Sequence, residues 1–380
     1  MKEITIQDIG TIITGSTPPT SKTEFFGNDY LFIKPSDIEI GTRITVETET
    51  MLSKLSREKY PKLLIPEGST CVVCIGSIGQ KMTYAHQACF TNQQINSIIP
   101  NENYDNKYVF YLMKNNLHKL KAANQGSSSG RENVSKNNFA KIKVDVVEDI
   151  EKQRKIAQIL SAYDELMENN QKQIKLLEEA AQRLYKEWFV DLRFPGYEDA
   201  EIIDGIPDGW TMTSVGELGE FLRGKTITKK QVVEGNIPVV AGGITPAYYH
   251  NKSNTEAPVI TVSASGNAGF VNVYTTKIWA SDCSYLDIDM SPYFYYILCS
   301  MKDRQAEIYT LQHGSAQQHV NANQINVLEI LKPSDEILKQ FVALIKPIYE
   351  KIGGLIKQSE VASEARDRLL PKLMSGEIEV

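Results

Sequence analysis

Residues 134–144 have the sequence Val-Ser-Lys-Asn-Asn-Phe-Ala-Lys-Ile-Lys-Val, and residues 320–330 have the related sequence Val-Asn-Ala-Asn-Gln-Ile-Asn-Val-Leu-Glu-Ile. The two stretches are 186 residues apart at both ends, and Gln125-Gly126-Ser127 and Gln312-His313-Gly314-Ser315 precede them. A period of this length is far longer than that of a solenoid repeat, so it indicates that a whole domain has been duplicated.

The duplication extends to the beginning of each half. Residues 10–15 (Gly-Thr-Ile-Ile-Thr-Gly) match residues 219–224 (Gly-Glu-Phe-Leu-Arg-Gly) at an offset of 209 residues, and Gly27-Asn28 matches Gly235-Asn236 at an offset of 208. The offset then falls to 186 at the later stretch. The second half therefore has shorter loops, which are the segments that tolerate deletion best.

Each half ends in a helix with a heptad pattern, whose spacings alternate between four and three residues. Two such helices at matching places in a duplicated chain favour pairing with each other, and the alternative is that each packs only on its own domain. Pro347 and Gly353-Gly354 are expected to weaken or bend the second helix, and Asn170 is expected to select one register. The expected packing positions are Ile156, Leu160, Tyr163, Met167, Asn170, Ile174, Leu177, Leu184, Phe341, Ile345, Ile348, Ile352, Leu355 and Leu369.

The patterns before each helix predict an α+β domain. Residues 30–33, 70–75, 259–262 and 271–274 are typical of strands, and one helix is predicted in each half, near Lys107–Leu120 and Pro292–Tyr309. The predicted segments are a first domain at 1–150, a helix at 151–190, a Gly- and Pro-rich connector at 191–212, a second domain at 213–333, and a second helix with a tail at 334–380.

The composition limits the class of protein. The chain has 380 residues, of which 42% are hydrophobic and 23% charged, as in a soluble protein of two or three domains. No run approaches 18 apolar residues, so no membrane span is predicted, and the first residues lack the apolar core of a secretion signal. Five scattered cysteines give no disulfide framework and favour a reducing cytoplasm.

The net charge of −6 argues at first against nucleic acid as a partner, but the charge is unevenly distributed. Residues 107–143 contain eight basic residues and one acidic residue, Glu132. Residues 221–233 contain four basic residues and no acidic one. Each half therefore has a local basic segment, which indicates either a site for DNA or a solvated helix face.

The sequence lacks the motifs of catalysis. It has no Asn/Asp-Pro-Pro-aromatic motif of a methyltransferase and no Walker-type phosphate loop. The Gly-rich segments at 76–79 and 265–269 are expected to form turns, and Cys71 and Cys74 are expected to pack in the core. We predict no catalytic residue and no metal site in this chain.

Polar loop side chains instead offer hydrogen bonds to bases and phosphates. Arg and Lys suit guanine, Asn and Gln suit adenine, and Ser and Thr suit either a base or a phosphate. The candidate DNA-binding residues are Ser16, Thr17, Lys22, Ser77, Lys81, Asn92, Gln93, Ser127, Arg131 and Lys136 in the first half and Arg223, Lys225, Lys229, Lys230, Ser265, Asn267, His313, Ser315, Gln317 and Gln318 in the second.

Several segments in this order resemble the specificity (S) subunit of type I DNA restriction-modification enzymes. They are Phe139–Val144, Glu151–Leu160, Leu184–Asp191, Gly205–Trp210 and Arg368–Ile378. The first half departs from the family pattern because it lacks the Pro-x-Gly-Trp opener. The second departs because Asp335-Glu336-Ile337-Leu338-Lys339-Gln340 replaces the Glu-x-Gln of the first.

The resemblance implies two target-recognition domains that are held apart by two helices, paired as an antiparallel coiled coil, and related by an approximate twofold axis. The domains would read an asymmetric bipartite site in double-stranded DNA. It implies partner subunits for modification, two in number, and for restriction and translocation. Adenine methylation with S-adenosylmethionine, and cleavage driven by ATP with Mg²⁺, would belong to those partners. Two alternatives remain from the residues: a coiled-coil adaptor that binds proteins, and the recognition part of a type II enzyme that cleaves outside its site.

Overall fold

The computed structural model describes residues 1–124, 132–314 and 318–380. The chain forms two compact units: Met1–Asn169 together with Ser359–Val380, and Asn170–Gln358. Both long helices, Ile150–Tyr185 and Asp335–Ser375, contribute to both units. Because the helices are shared in this way, the linear division into five segments stays a prediction.

The first half contains nine strands and six α-helices among the residues that the structure describes. The strands are β1 (Lys2–Thr5), β2 (Gly10–Thr14), β3 (Phe26–Ile33), β4 (Met51–Leu52), β5 (Thr70–Val73), β6 (Met82–Tyr84), β7 (Phe90–Thr91), β8 (Ile95–Pro100) and β9 (Lys143–Val146). The helices are α1 (Ile6–Ile9), α2 (Lys54–Lys59), α3 (Asn106–Asn116), α4 (His118–Ala122), α5 (Lys136–Ala140) and α6 (Ile150–Tyr185), which a π-helical turn at Lys186–Val190 follows.

The rest of the chain repeats this order after a short hairpin, except that its described residues contain no counterpart of α2. The strands are β10 (Ile202–Ile203), β11 (Ile206–Pro207), β12 (Thr211–Ser214), β13 (Leu222–Arg223), β14 (Ile237–Val240), β15 (Tyr248–His250), β16 (Val259–Ser263), β17 (Val271–Tyr274), β18 (Trp279–Ala280), β19 (Cys283–Asp287) and β20 (Glu329–Lys332). The helices are α7 (Val215–Leu218), α8 (Phe294–Asp303), α9 (Gln305–Thr310), α10 (Ala322–Asn326) and α11 (Asp335–Ser375).

The sheets of the two halves have the same topology. The four-stranded antiparallel sheet β2-β8-β5-β6 corresponds to β13-β19-β16-β17. The three-stranded sheet β4-β3-β7 corresponds to β15-β14-β18, and each contains one parallel pair. The pair β1-β9 corresponds to β12-β20. The predicted α+β class and the duplication are therefore confirmed, and the predicted helix of each domain is a pair of consecutive helices, α3 with α4 and α8 with α9.

The connector has the turns that its composition predicted. Asp204 and Gly205 have φ of 49° and 86° and join β10 to β11, because a two-residue hairpin turn of this type needs positive φ at both positions. Trp210 then packs on Phe194, with ring centroids 4.6 Å apart. The aromatic residues thus hold the connector to the second unit.

Within each unit, α6 and α11 pack antiparallel. In the first unit, buried Leu160 shares a core with Leu370 and Leu373. In the second, Tyr185 lies near Phe341, with ring centroids 6.4 Å apart. Residue numbers rise along one helix as they fall along the other. All the predicted packing positions are buried or half-buried.

Asn170 is 1% exposed between the two helices of the second unit. Its Nδ2 donates to the carbonyl oxygen of Leu355 at 3.4 Å and to Oε1 of Gln358 at 2.9 Å. A buried amide that finds partners in only one register disfavours sliding of the helices. Helix α11 also continues through Pro347 and Gly353-Gly354. A Cβ at Gly353 would lie 3.2 Å from Cβ of Thr275, so glycine permits close packing of the helix on the domain.

The first turns of α6 and α11 differ, which explains why the second half lacks the Glu-x-Gln of the first and has Leu338 in place of the glutamine. Gln153 is fully buried in the first turn of α6; its Oε1 accepts from the amide of Asp105 at 2.9 Å and its Nε2 donates to the carbonyl oxygen of Val147 at 2.7 Å. Leu338 has the equivalent place in α11, because the amides of both residues donate four residues back at 3.0 Å. Leu338 packs in an apolar core instead.

A polar network joins α6 and α11 inside the first unit. Arg366 of α11 is 1% exposed and donates to the carboxylate of Asp164 of α6, which is 2% exposed and also accepts from the hydroxyl of Tyr111. Burial and the neighbouring negative charge of Asp164 raise the pKa of Tyr111, so its hydroxyl stays protonated and donates. Arg43 adds a two-bond contact to Glu168, with both nitrogen–oxygen distances 2.9 Å.

We expect Arg366→Met to lower the free energy of unfolding by about 3–5 kcal/mol, because Asp164 would be left buried without its cation. Denaturant unfolding followed by circular dichroism measures the change. Arg368→Met is the matched control, since the Arg368 side chain is 83% exposed. Equal destabilisation of the two variants would contradict a cost of leaving Asp164 buried without its cation.

Candidate nucleic-acid interface

The candidate loops of each half leave one end of the four-stranded sheet. In an antiparallel sheet, the carboxyl end of one strand lies beside the amino end of its neighbour. The carboxyl ends of β2 and β5 therefore lie beside the amino ends of β8 and β6, and the same holds for β13, β16, β19 and β17. We call this end of each sheet, with the loops that leave it, the recognition edge.

The same two backbone bonds close both recognition edges. In the first half, the amide of Gly15 donates to the carbonyl oxygen of Ile95 at 3.1 Å, and the amide of Ser16 donates to that of Thr91 at 3.0 Å. In the second half, the amide of Gly224 donates to the carbonyl oxygen of Cys283 at 2.8 Å, and the amide of Lys225 donates to that of Ala280 at 2.9 Å. Ser16 and Lys225 thus have equivalent positions.

We call this pair of backbone bonds the clamp, and its glycine is required because the backbones approach each other closely. A Cβ at Gly15 would lie 2.1 Å from the carbonyl oxygen of Thr91, and one at Gly224 would lie 2.4 Å from that of Ser281. Both distances are far below a van der Waals contact. The repeated glycine at offset 209 therefore records a constraint of the fold and not a binding group.

The Gly-rich segments form tight turns at the same edge. Gly76 and Gly79 have φ of 89° and 72°, and Gly266 and Gly269 have φ of 65° and 83°. These values lie in the left-handed region, where glycine is least strained. A later segment of each half docks on this turn through the same backbone bond. The amide of Val134 donates to the carbonyl oxygen of Cys74 at 2.8 Å, and the amide of Val320 donates to the carbonyl oxygen of Ala264 at 3.1 Å.

Most described candidates of the first half meet at its recognition edge. The hydroxyl of Thr17 donates to Oε1 of Gln93 at 2.8 Å, and Ser77 lies in the adjoining turn. Lys22 is exposed beside the ring of Phe25. Lys136 is exposed in the first turn of α5.

The side chains of two candidates of the first half already form hydrogen bonds within the protein. Asn92 is 6% exposed; its Nδ2 donates to Oε1 of Gln94 at 3.0 Å and its Oδ1 accepts from the Gln94 amide at 3.1 Å. Nζ of Lys81 donates to the carbonyl oxygen of Pro35 at 2.7 Å. Both side chains hold loops together, which a residue type alone did not reveal.

The second recognition edge carries the basic segment predicted from the sequence. Arg223, Lys225, Lys229 and Lys230 are all exposed, and the last two lie in a short 3-10 turn at Lys229–Gln231. None of the four forms an ion pair with an acidic residue in the described part of the chain. Their charges are thus available to an anionic ligand.

Other candidates of the second half lie in the turn of the same edge and in the segment that docks on it. Asn267 is half-buried, and its amide donates to Gly242 at 2.9 Å. The backbones of His313 and His319 pair with each other at 3.1 and 2.9 Å, and Gln318 is exposed beside them. The hydroxyl of Ser265 donates to a carboxylate oxygen of Asp282, a residue that the sequence did not single out. Ser127, Arg131, Ser315 and Gln317 lie outside the described residues.

The described residues, which omit 125–131 and 315–317, show no cluster of three or more His, Cys, Asp or Glu that could hold a metal ion. Cys71 and Cys74 are buried in the cores of the first unit, as predicted. Within the same described ranges, no helix is both long and apolar enough to cross a membrane.

A protein-family model agrees with this architecture. The model described as the type I restriction modification DNA specificity domain matches residues 1–179 and residues 207–360. The two matches cover most of the chain and place one copy on each half.

Individual relatives agree with the family model. The chain is 27% identical over 414 residues to the type I restriction enzyme MjaIX specificity subunit of Methanocaldococcus jannaschii, covering 99% of this chain and 93% of that one. It is 38% identical over 109 residues to the HindI specificity subunit of Haemophilus influenzae, covering 29% of this chain and 23% of that one. A crystal structure of a type I S subunit from M. genitalium shares the fold, with a TM-score of 0.63, 17% identity and coverage of 98% and 96%.

We expect Gly224→Ala to destabilise the protein by about 1–3 kcal/mol, because the new Cβ would force the clamp apart. Thermal denaturation measures the change. Gly354→Ala is the control, because Gly354 is exposed in α11 with no atom within 4 Å of the added Cβ; there, alanine is expected to stabilise by up to ~1 kcal/mol. Equal melting temperatures for the two variants would show that the clamp tolerates a side chain.

Proposed function

Because the chain belongs to the family of type I restriction-modification DNA specificity subunits, which are not the catalytic subunits, we propose that it reads a bipartite, asymmetric DNA target. Each recognition edge would contact one half of the target, with an unread spacer between them. The observation that carries this proposal is the repetition of one edge, closed by the same bonds, in two halves with different side chains.

The charges of the second edge support contact with a duplex. Arg223, Lys225, Lys229 and Lys230 are exposed within a stretch of eight residues. Cationic side chains of this kind neutralise phosphates and position a protein, whereas polar groups nearby read base edges. Asn267 lies in the turn of the same edge, and His313, Gln318 and His319 lie in the segment that docks on this turn, so their polar groups are placed to read base edges.

The names of the relatives support a wider assembly. A specificity subunit of a restriction enzyme acts with other subunits, and we propose modification subunits, two in number, and restriction subunits as the partners of this chain. S-adenosylmethionine, and ATP with Mg²⁺, would be bound by those partners. We also propose a cytoplasmic location, which agrees with five buried cysteines that form no disulfide.

The proposal predicts one methylated motif with two short defined parts and a fixed spacer. The chain would be expressed with its modification subunit in cells that lack other adenine methyltransferases, and methylated adenines would be mapped by sequencing. Cells with the modification subunit alone are the control. A chain that acts as a protein adaptor would add no motif, and that result would contradict the proposal.

We expect Lys229→Ala/Lys230→Ala to weaken binding to all duplexes and to lower the slope of log affinity against log salt by about 0.9 for each phosphate that is no longer neutralised. Fluorescence anisotropy of the complex with modification subunits measures both. Lys252→Ala/Lys277→Ala makes the same charge change in the loops that follow β15 and β17, where Lys277 is already paired with Glu256 at 2.5 Å. An equal effect of the control would contradict a specific role for the basic turn.

A further inference from the structure

One position at the centre of each recognition edge has a different functional group in the two halves. The carbonyl oxygen of Gln94 accepts from the amide of Cys74 at 2.8 Å, and that of Asp282 accepts from the amide of Ala264 at 3.2 Å. Each residue directly precedes the strand that lies second in its sheet, β8 or β19. Gln94 and Asp282 are therefore structural equivalents, with an amide in one half and a carboxylate in the other.

Both side chains are held in place by a neighbour. Oε1 of Gln94 accepts from Asn92 Nδ2 at 3.0 Å, and its Nε2 lies 3.5 Å from the carbonyl oxygen of Ile75. The carboxylate of Asp282 accepts from the hydroxyl of Ser265, which lies in the turn equivalent to that of Ile75. Both Gln94 and Asp282 are half-buried, so each is fixed while part of it faces solvent.

The carboxylate of Asp282 is unusual for its surroundings. Among the described residues, no Lys, Arg or His nitrogen lies within 4 Å of it, although Lys225 and Arg223 belong to the same edge. A carboxylate repels the phosphates that these cations attract. In the major groove, however, Asp and Glu accept a hydrogen bond from the exocyclic amino group of cytosine. A fixed carboxylate with no cation beside it suits this neutral donor.

Resting on the function proposed above, we propose that Asp282 is a specificity-determining residue of the second half. Its second carboxylate oxygen accepts from a base amino group, N4 of cytosine, and disfavours bases that present a carbonyl oxygen there. Ser265 is a positioning residue that orients the carboxylate. Gln94 has the same place in the first half. Unlike the buried Asn92 it is half-buried, and beside its bonds to Asn92 and Ile75 its amide keeps one hydrogen and one lone pair, so it can both donate and accept, as adenine requires.

The test compares the methylated motifs and binding preferences of the complex with its modification subunits. A randomised double-stranded DNA library is selected with the wild type and with Asp282→Asn. The amide can donate as well as accept, so we expect bases with a carbonyl oxygen or adenine to be accepted at one position of one half-site. The preference at that position should change by roughly tenfold, the size of one base contact.

Two further variants separate the roles of the residues. Ser265→Ala should weaken the preference at the same position without changing the preferred base. Gln94→Glu should alter one position of the other half-site only. Thermal denaturation of each variant shows whether it is folded, and only folded variants are compared.

The outcomes separate this proposal from the one on which it rests. If the wild type selects a bipartite site and Asp282→Asn selects the same site with the same preference at every position, Asp282 does not determine specificity. A change spread over both half-sites would also overturn the proposal. If the wild type selects no site, the proposed function itself is wrong.

Discussion

The geometry of an antiparallel sheet decides where this protein can meet a ligand. Neighbouring antiparallel strands place the carboxyl end of one beside the amino end of the next. Loops that are far apart in sequence, such as those at Gly15, Gly76 and Gln94, are therefore gathered at one edge. The clamp glycines keep that edge tight, since a Cβ at Gly15 or Gly224 would collide with the backbone of the neighbouring strand connection.

The two halves keep this frame and vary the side chains on it. Ser16 corresponds to Lys225, and Gln94 corresponds to Asp282. The backbone bonds that define these positions differ by only a few tenths of an ångström between the halves. A duplicated frame with different polar groups is suited to an asymmetric target, because each half can present its own pattern of donors and acceptors.

The helices α6 and α11 combine apolar packing with a few buried polar contacts. In the second unit the packing between the helices is mainly aromatic, and the ring centroids of Phe189 and Phe341 are 4.9 Å apart. The first unit instead contains the buried pair of Asp164 and Arg366, and Asn170 is bonded between the helices of the second unit. Polar groups of this kind are satisfied in only one register, and they specify the pairing of the helices more than they add to stability.

The duplication, the α+β class and the two heptad helices are readable from the sequence alone, because they are local or periodic features that residue spacing reveals. The family is readable there too, through the resemblance of several motifs to specificity subunits. The tertiary structure decided which polar residues are free to bind. Asn92 and Lys81 have suitable side chains, but these side chains form hydrogen bonds within the fold. No pattern in the sequence indicated Asp282, whose carboxylate accepts a hydrogen bond from Ser265 in the structure. Whether a side chain is occupied depends on contacts between residues far apart in the chain, and no local pattern encodes those contacts.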